Sequence, residues 1–160
     1  MPTADMGETE RRDYLKHLKN SEPGLPMAVF ATDSGVHLFA EPTRRPCSPV
    51  PVRLGHFRVD VKRATSGPAQ YSFRYAPIAT LTVNVGPQDG MAPDSRPPGA
   101  QNCSGTLSVV YVGTDITADE LPDELSFRSG STSLKWTSVD FTDERVLDTV
   151  FIPPPDAKSC

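Results

Sequence analysis

This sequence of 160 residues has little cysteine, a single tryptophan and no long apolar run. Its three cysteines, Cys47, Cys103 and Cys160, are far apart and include no CxxC or other metal-type pair. With three cysteines, at least one remains unpaired if a disulfide forms within the chain. In a reducing compartment we expect all three to be free thiols. No segment approaches the roughly 20 apolar residues that a membrane-spanning helix needs.

Other signals are missing as well. The segment MPTADMGETERRD has no apolar stretch of the kind that directs secretion, so we expect a cytoplasmic protein without membrane contact. Neither GxxxxGK[ST] nor GxGxxG occurs, and no two Cys or His residues lie at the spacing typical of zinc sites. The sequence therefore predicts no cofactor and no bound metal.

Only one segment has the pattern of a substantial helix, residues 5–20, in which Asp5 and Glu8 have capping-box spacing. Its apolar stripe of Tyr14, Leu15 and Leu18 is narrow, which indicates a helix on the surface or an arm used in association. We therefore predict an N-terminal helical arm over residues 1–24, of which residues 1–22 are dispensable for folding.

The rest of the chain has the period-two pattern of β-strands, separated by segments that contain many of the 17 prolines and 11 glycines. The odd-numbered apolar residues from Tyr71 to Val85 keep one parity, which predicts one apolar face, and Pro77 predicts a bend or a sheet edge. Residues 86–104 read as a long loop. The strands are predicted at 27–31, 35–41, 56–62, 71–85, 107–113, 134–141 and 145–152.

Seven to nine strands without strand–helix alternation predict an all-β fold, an antiparallel β-sandwich or jelly roll with one N-terminal helical arm. A single β-sandwich domain over residues 25–160, ending in a short Pro-rich tail, is the expected organisation. The predicted core consists of Phe57, Val59, Val61, Phe73, Leu81, Val83, Val109, Tyr111, Leu134 and Trp136.

Charge is distributed unevenly along the chain. Residues 41–63 carry six basic against two acidic side chains, whereas residues 115–124 carry five acidic side chains and no basic one. The two regions could join neighbouring molecules or neutralise each other within one fold, and the sequence leaves both open. The predicted interface residues are Arg44, Arg45, Arg53, Asp115, Asp119, Glu120, Asp123 and Glu124.

The missing catalytic constellation, the uneven charge, the Pro-rich loops and the helical arm favour a non-enzymatic structural or interaction protein. It would bind a protein partner or form a homo-oligomer, as viral jelly rolls do. The alternative is a ligand-binding module for carbohydrate or calcium, using loops 86–104 and 115–124, with Trp136 as a stacking platform for sugars.

A third, lesser hypothesis is a small hydrolase that uses Cys47 with His37 or His56. No local signature supports this dyad, and the sequence predicts no catalytic residue. Nucleic acid is not expected as a partner, because the pI is about 5.3 and the chain has no basic tail.

Overall fold

The computed structural model describes residues 7–19, 28–40, 45–63, 71–121, 143–155 and 160. No helix among these residues is long and apolar enough to cross a membrane. The predicted strand at 134–141, with the predicted core residues Leu134 and Trp136, lies outside them. The elements are α1 (Glu8–Lys19), β1 (Ala28–Thr32), β2 (Gly35–Phe39), β3 (Val50–Arg63), β4 (Tyr71–Val85), β5 (Gly90–Met91), β6 (Ser104–Tyr111) and β7 (Val146–Ile152).

The strands form two antiparallel sheets, which confirms the mostly-β expectation with one N-terminal helix. One sheet has three strands in the order β1-β2-β5, and the other has four in the order β4-β3-β6-β7. The backbone N–H of Ala31 in β1 donates to Asp148 Oδ2 in β7 at 2.8 Å, so a hydrogen bond links the two sheets. The described part of the chain contains seven strands, the lower end of the predicted range.

Local sequence explains the β1–β2 hairpin. Asp33 and Ser34 form the turn, and Gly35 has a φ of +141°, a conformation that glycine adopts without steric cost. The loop predicted at 86–104 contains one short strand, since Gly90 and Met91 pair with β2 as β5. Two residues are too few to show a periodicity, so the sequence pattern did not indicate this strand.

Both faces of the four-stranded sheet carry buried side chains, and β3 contributes to each. Successive residues of a strand point to opposite faces, so Val52 and Leu54 lie on one face and Phe57 and Val59 on the other. We call the first the inner face, because it packs against the three-stranded sheet, and the second the outer face. In β3, the buried apolar side chains therefore lie on the inner face before His56 and on the outer face after it.

The buried side chains of strand β4 also move from one face of the sheet to the other, and in this strand a bulge causes the change. His56 pairs with Ala79 and Phe57 pairs with Pro77, so Ile78 is an extra residue and forms a β-bulge. The bulge inverts the parity of β4, which places Val83 on the inner face and Phe73 on the outer face. The predicted single apolar face of residues 71–85 is therefore wrong. Among the described residues β4 lies at the edge of its sheet, which is one of the two outcomes predicted from Pro77.

The buried residues form two clusters, which we call the inter-sheet core and the outer core. The inter-sheet core includes residues of both sheets, such as Val29, Leu38, Leu54, Val83, Val110 and Leu147. The outer core contains Phe57, Val59, Val61, Leu107, Val109, Tyr111, Ile116, Leu121 and Phe151. Of the predicted core residues on β4, Val83 is buried, whereas Leu81 is 36% exposed and Phe73 is half-buried.

Helix α1 is more than a surface arm. Leu15 is 0% exposed and belongs to the inter-sheet core, and Tyr14 packs against the same cluster. The helix contacts β1 and β7. The expectation of a helix outside the core is therefore wrong. The apolar stripe of α1 is narrow, but its fully buried leucine makes the helix part of the inter-sheet core.

A disulfide joins Cys103 to Cys160. This corrects the expectation of three free thiols for two of them, while Cys47 is exposed and outside the disulfide. Cys103 precedes β6, and its carbonyl oxygen accepts a hydrogen bond from the Val61 N–H of β3 at 3.0 Å. The 57-residue separation explains why spacing alone did not indicate this pair.

Candidate protein-binding site

The structure brings two predicted interface residues together within one molecule. Arg53 on β3 makes a fork-like ion pair with Asp115, with Nη2–Oδ1 and Nη2–Oδ2 distances of 3.0 and 3.2 Å. The Tyr111 hydroxyl donates to Asp115 Oδ1 at 2.9 Å, and Arg53 Nη1 donates to Thr82 Oγ1 at 2.7 Å. At this contact the basic and acidic regions neutralise each other, which is one of the two arrangements left open by the sequence.

Protonation equilibria in this cluster follow from its hydrogen bonds. The bonds from Tyr111 and Arg53 lower the pKa of Asp115. Burial, together with the hydrogen bond to Asp115, raises the pKa of Tyr111 to about 12. Asp115 is thus a charged anchor that holds the segment after β6 against the sheet.

A second cluster anchors the same segment through Arg145, a residue that the sequence analysis did not select. Its guanidinium donates to Glu120 Oε1 at 2.9 Å and to Asp143 Oδ2 at 2.8 Å. It also donates to the carbonyl oxygens of Thr114 and Asp115. The backbone N–H of Thr117 and the Arg145 side chain lower the pKa of Glu120. Only the fold brings residue 145 to this segment, so no local pattern identifies it.

Two of the remaining predicted interface residues, Arg45 and Asp119, lie in the described part of the chain. Arg45 donates to Asp89 Oδ2 at 2.8 Å and to the Ala40 carbonyl oxygen, so it secures a loop. Asp119 is exposed on a 3-10 turn, Ala118–Glu120. Arg44, Asp123 and Glu124 lie outside the described residues.

Among the described residues, no hydrogen bond or ring contact joins His37 or His56 to Cys47. His37 stacks on Phe30 and its Nε2 lies 3.0 Å from Thr32 Oγ1. His56 is buried, and its Nδ1 lies 2.7 Å from Ser108 Oγ. Burial lowers the pKa of His56, and its Nε2 has no hydrogen-bond partner. The side chains of both His56 and Ser108 are buried.

The ligand-binding alternatives find no support in the part of the chain that the structure describes. Within it, no group of three or more His, Cys, Asp and Glu side chains could hold a metal ion. Asp115 and Glu120, two of the proposed calcium ligands, are engaged by arginines. Trp136, the proposed sugar platform, lies outside the described residues.

Part of the exposed apolar surface of the described residues lies on strand β4. Within the described ranges, β4 pairs only with β3, along its whole length of 15 residues. Ile78 is 48% exposed and Leu81 36%, and the polar residues Thr80, Thr82 and Asn84 are exposed between and beyond them. No charged residue occurs between Arg74 and Asp89. This arrangement can accept a further strand.

A cavity of about 370 Å³ opens beside the bulge of β4. Its wall includes Arg58 on β3, Ile78 on β4 and Thr106 on β6, which places it on the inner face beyond the inter-sheet core. Gln101 and Asn102 come from the loop that precedes β6. The cavity and the accessible edge therefore share Ile78.

Comparisons with known proteins leave the site to be interpreted from its own geometry, since no family model, no curated protein and no solved structure matches this chain.

Proposed function

We propose that this protein binds an extended segment of a partner protein, which adds to β4 as a fifth strand of the four-stranded sheet. The observation that carries the proposal is the edge of β4 over residues 75–85, which has no charged side chain and no second partner strand among the described residues. An edge strand presents backbone N–H and C=O groups to an incoming strand, and main-chain hydrogen bonds then supply affinity. We infer a non-enzymatic interaction protein.

The amino-acid composition of β4 supports this interpretation. Natural edge strands are usually protected by charged side chains, by proline or by bulges. Here Pro77 and the bulge at Ile78 interrupt the middle of the strand, but residues 79–85, ATLTVNV, contain neither charge nor proline. Four of these seven residues are the β-branched Thr80, Thr82, Val83 and Val85, which favour strand pairing.

A partner protein is a better occupant than a second copy of the chain. The hypothesis of self-assembly depended on complementary charges on separate faces, and Arg53 and Asp115 neutralise each other within the molecule. Strand addition does not depend on that charge separation. We further propose that the two sheets form a β-sandwich scaffold of the jelly-roll type, which would hold β4 rigidly at one edge.

Selection from a library of displayed twelve-residue linear peptides against the immobilised full chain tests the proposal. We expect enrichment of peptides with β-branched residues at alternate positions. Amide hydrogen exchange of residues 76–84 should slow on binding such a peptide, because the outward N–H groups of β4 gain acceptors. The Thr80→Lys variant should bind it about tenfold more weakly, since a lysine on an edge blocks strand pairing.

Gln88→Lys is the matched control, because it adds the same charge at an exposed position outside β4. It should bind the peptide as the wild type does. Absence of enriched peptides, or enriched peptides that leave the β4 amides unprotected, would overturn the proposal. Light scattering gives the remaining outcome: a dimer that protects the β4 amides would replace the partner protein with a second copy.

A further inference from the structure

The cavity beside the bulge contains one cation that is held in place by its neighbours. Arg58 Nε lies 3.2 Å from Asp60 Oδ1, and Asp60 also accepts a hydrogen bond from Ser104 Oγ at 2.7 Å. The terminal amino groups of Arg58 have no partner among the described residues, and its side chain is 55% exposed. The guanidinium is therefore oriented through one nitrogen while its remaining donors stay available.

The other lining groups indicate the size and charge of a ligand. The cavity wall includes Gln101, Asn102 and Thr106, which can form hydrogen bonds, and Ile78, which is apolar. Among the described residues of the lining Arg58 alone is charged, and Asp60 next to it offsets part of its charge. This balance suits a single carboxylate better than a dianionic phosphate, because a planar guanidinium can bind a carboxylate through two parallel hydrogen bonds.

The position of the cavity connects it to the edge of the sheet. Arg58 pairs with Ala76 of β4 on one side and with Thr106 of β6 on the other. A strand added to β4 would lie about 4.8 Å beyond it. Every second side chain of the added strand would point to the inner face, and one of these would lie next to Ile78, at the cavity.

We infer that the cavity selects an aspartate or glutamate side chain of the strand that pairs with β4. This inference rests on the proposed function and names the chemistry of the partner: an extended segment, uncharged and β-branched along most of its length, with one acidic residue in a fixed register. Pairing with β4 supplies affinity and the cavity supplies register and specificity.

Peptide selections against the wild type and three variants of the full chain test the inference. The variants are Arg58→Gln, Arg58→Glu and, as a control, Arg96→Gln, which removes an exposed arginine outside the cavity lining. The wild type and the control should enrich one acidic position at a fixed distance from the β-branched residues. Arg58→Gln should lose this preference, and Arg58→Glu should favour Lys or Arg at that position.

Affinities of two synthetic peptides give the magnitude. The probes are one enriched peptide with Glu at the selected position and the same peptide with Gln. The wild type should bind the Glu peptide about tenfold more tightly, and Arg58→Gln should reduce that ratio to about one, since a hydrogen bond to a charged group is worth at least this factor.

A Glu-to-Gln affinity ratio that is the same in the wild type and Arg58→Gln would overturn the inference, as would selections with no acidic preference. In both cases protection of the β4 amides by the peptide would leave the proposed function intact. Loss of that protection would instead contradict strand addition itself, so the two failures are distinguishable.

Discussion

The inter-sheet core and the outer core share the same sheet but are enclosed in different ways. Val52, Leu54 and Val83 face a second sheet and helix α1, which cover the inner face. Phe57, Val59 and Val109 face the segment after β6, where Ile116 and Leu121 are buried. One core is thus closed by secondary structure and the other, among the described residues, by a connection that Arg53 and Arg145 hold in place.

This difference shows how a loop-rich sequence can form a stable domain. Apolar burial supplies the driving force in both cores. In the outer core, however, the covering segment has few backbone partners, so its position depends on ion pairs and on the Tyr111–Asp115 hydrogen bond. We therefore expect the outer core to be more sensitive to polar substitutions than the inter-sheet core.

The largest expected effect on stability comes from truncating one buried side chain in each core. Phe57→Ala in the outer core should lower the free energy of unfolding by about 3–5 kcal/mol, and Val83→Ala in the inter-sheet core by about 2 kcal/mol. Because one sheet carries both cores, denaturant titration should give a single transition for each variant. A loss within about 0.5 kcal/mol at Phe57, the range of surface positions, would show that the outer core is not a true core.

Leu15→Ala should have the next largest effect. The side chain is fully buried, so we expect a loss of about 2–4 kcal/mol in the free energy of unfolding. The exposed neighbour Asp13→Ala is the control and should change little. A chain that starts at Glu22 and keeps its thermal midpoint would restore the earlier expectation that the arm is dispensable.

His56 should make the stability of the folded protein depend on pH. Its pKa is lowered in the folded state by burial, so the unfolded chain binds a proton more readily. Above about pH 6.5 both states are neutral and the residue has no effect, whereas stability falls as the pH drops below that value, by at most about 1.4 kcal/mol per pH unit. Urea titrations between pH 7.5 and 5 should show a shallower fall for His56→Leu than for the wild type. An equal fall would assign the pH dependence to other groups.

The smallest expected effect concerns the anchors of the outer core. A double-mutant cycle of Arg53→Gln and Asp115→Asn should give a coupling of about 0.2–1 kcal/mol, because both side chains are partly exposed and screened by water. In Asp115→Asn the pKa of Tyr111 should also fall from about 12, since the nearby negative charge that helps raise it is removed. An ultraviolet titration measures this shift, and an unchanged value would mean that burial alone sets it.

Local pattern was sufficient for much of the fold. The β1–β2 hairpin, the buried central strand β6 and the strand β7 all follow from period-two alternation and turn residues. The edge position of β4 was signalled by Pro77, which cannot donate a hydrogen bond to a neighbour. These features depend on a few consecutive residues, which is the range over which sequence patterns are informative.

Features that depend on pairing between distant segments could not be predicted from local sequence patterns. The bulge at Ile78 is visible only when β4 is aligned with β3. The same holds for Arg145, which lies 25 residues from Glu120 in sequence, and for the cavity around Arg58. Of the charged residues selected from the sequence as an interface, Arg53 and Glu120 have partners within the same molecule.

The bulge at Ile78 also determines how strand β4 responds to a change in its length. Phe73 and Val83 are ten residues apart, but their partners Val61 and Val52 are nine residues apart. Deleting Ile78 would make both separations nine, so the ladder would become regular and both residues would keep their faces of the sheet. A chain that is shorter by one residue at this position should therefore retain both cores, whereas one that is longer by one residue would need a second bulge.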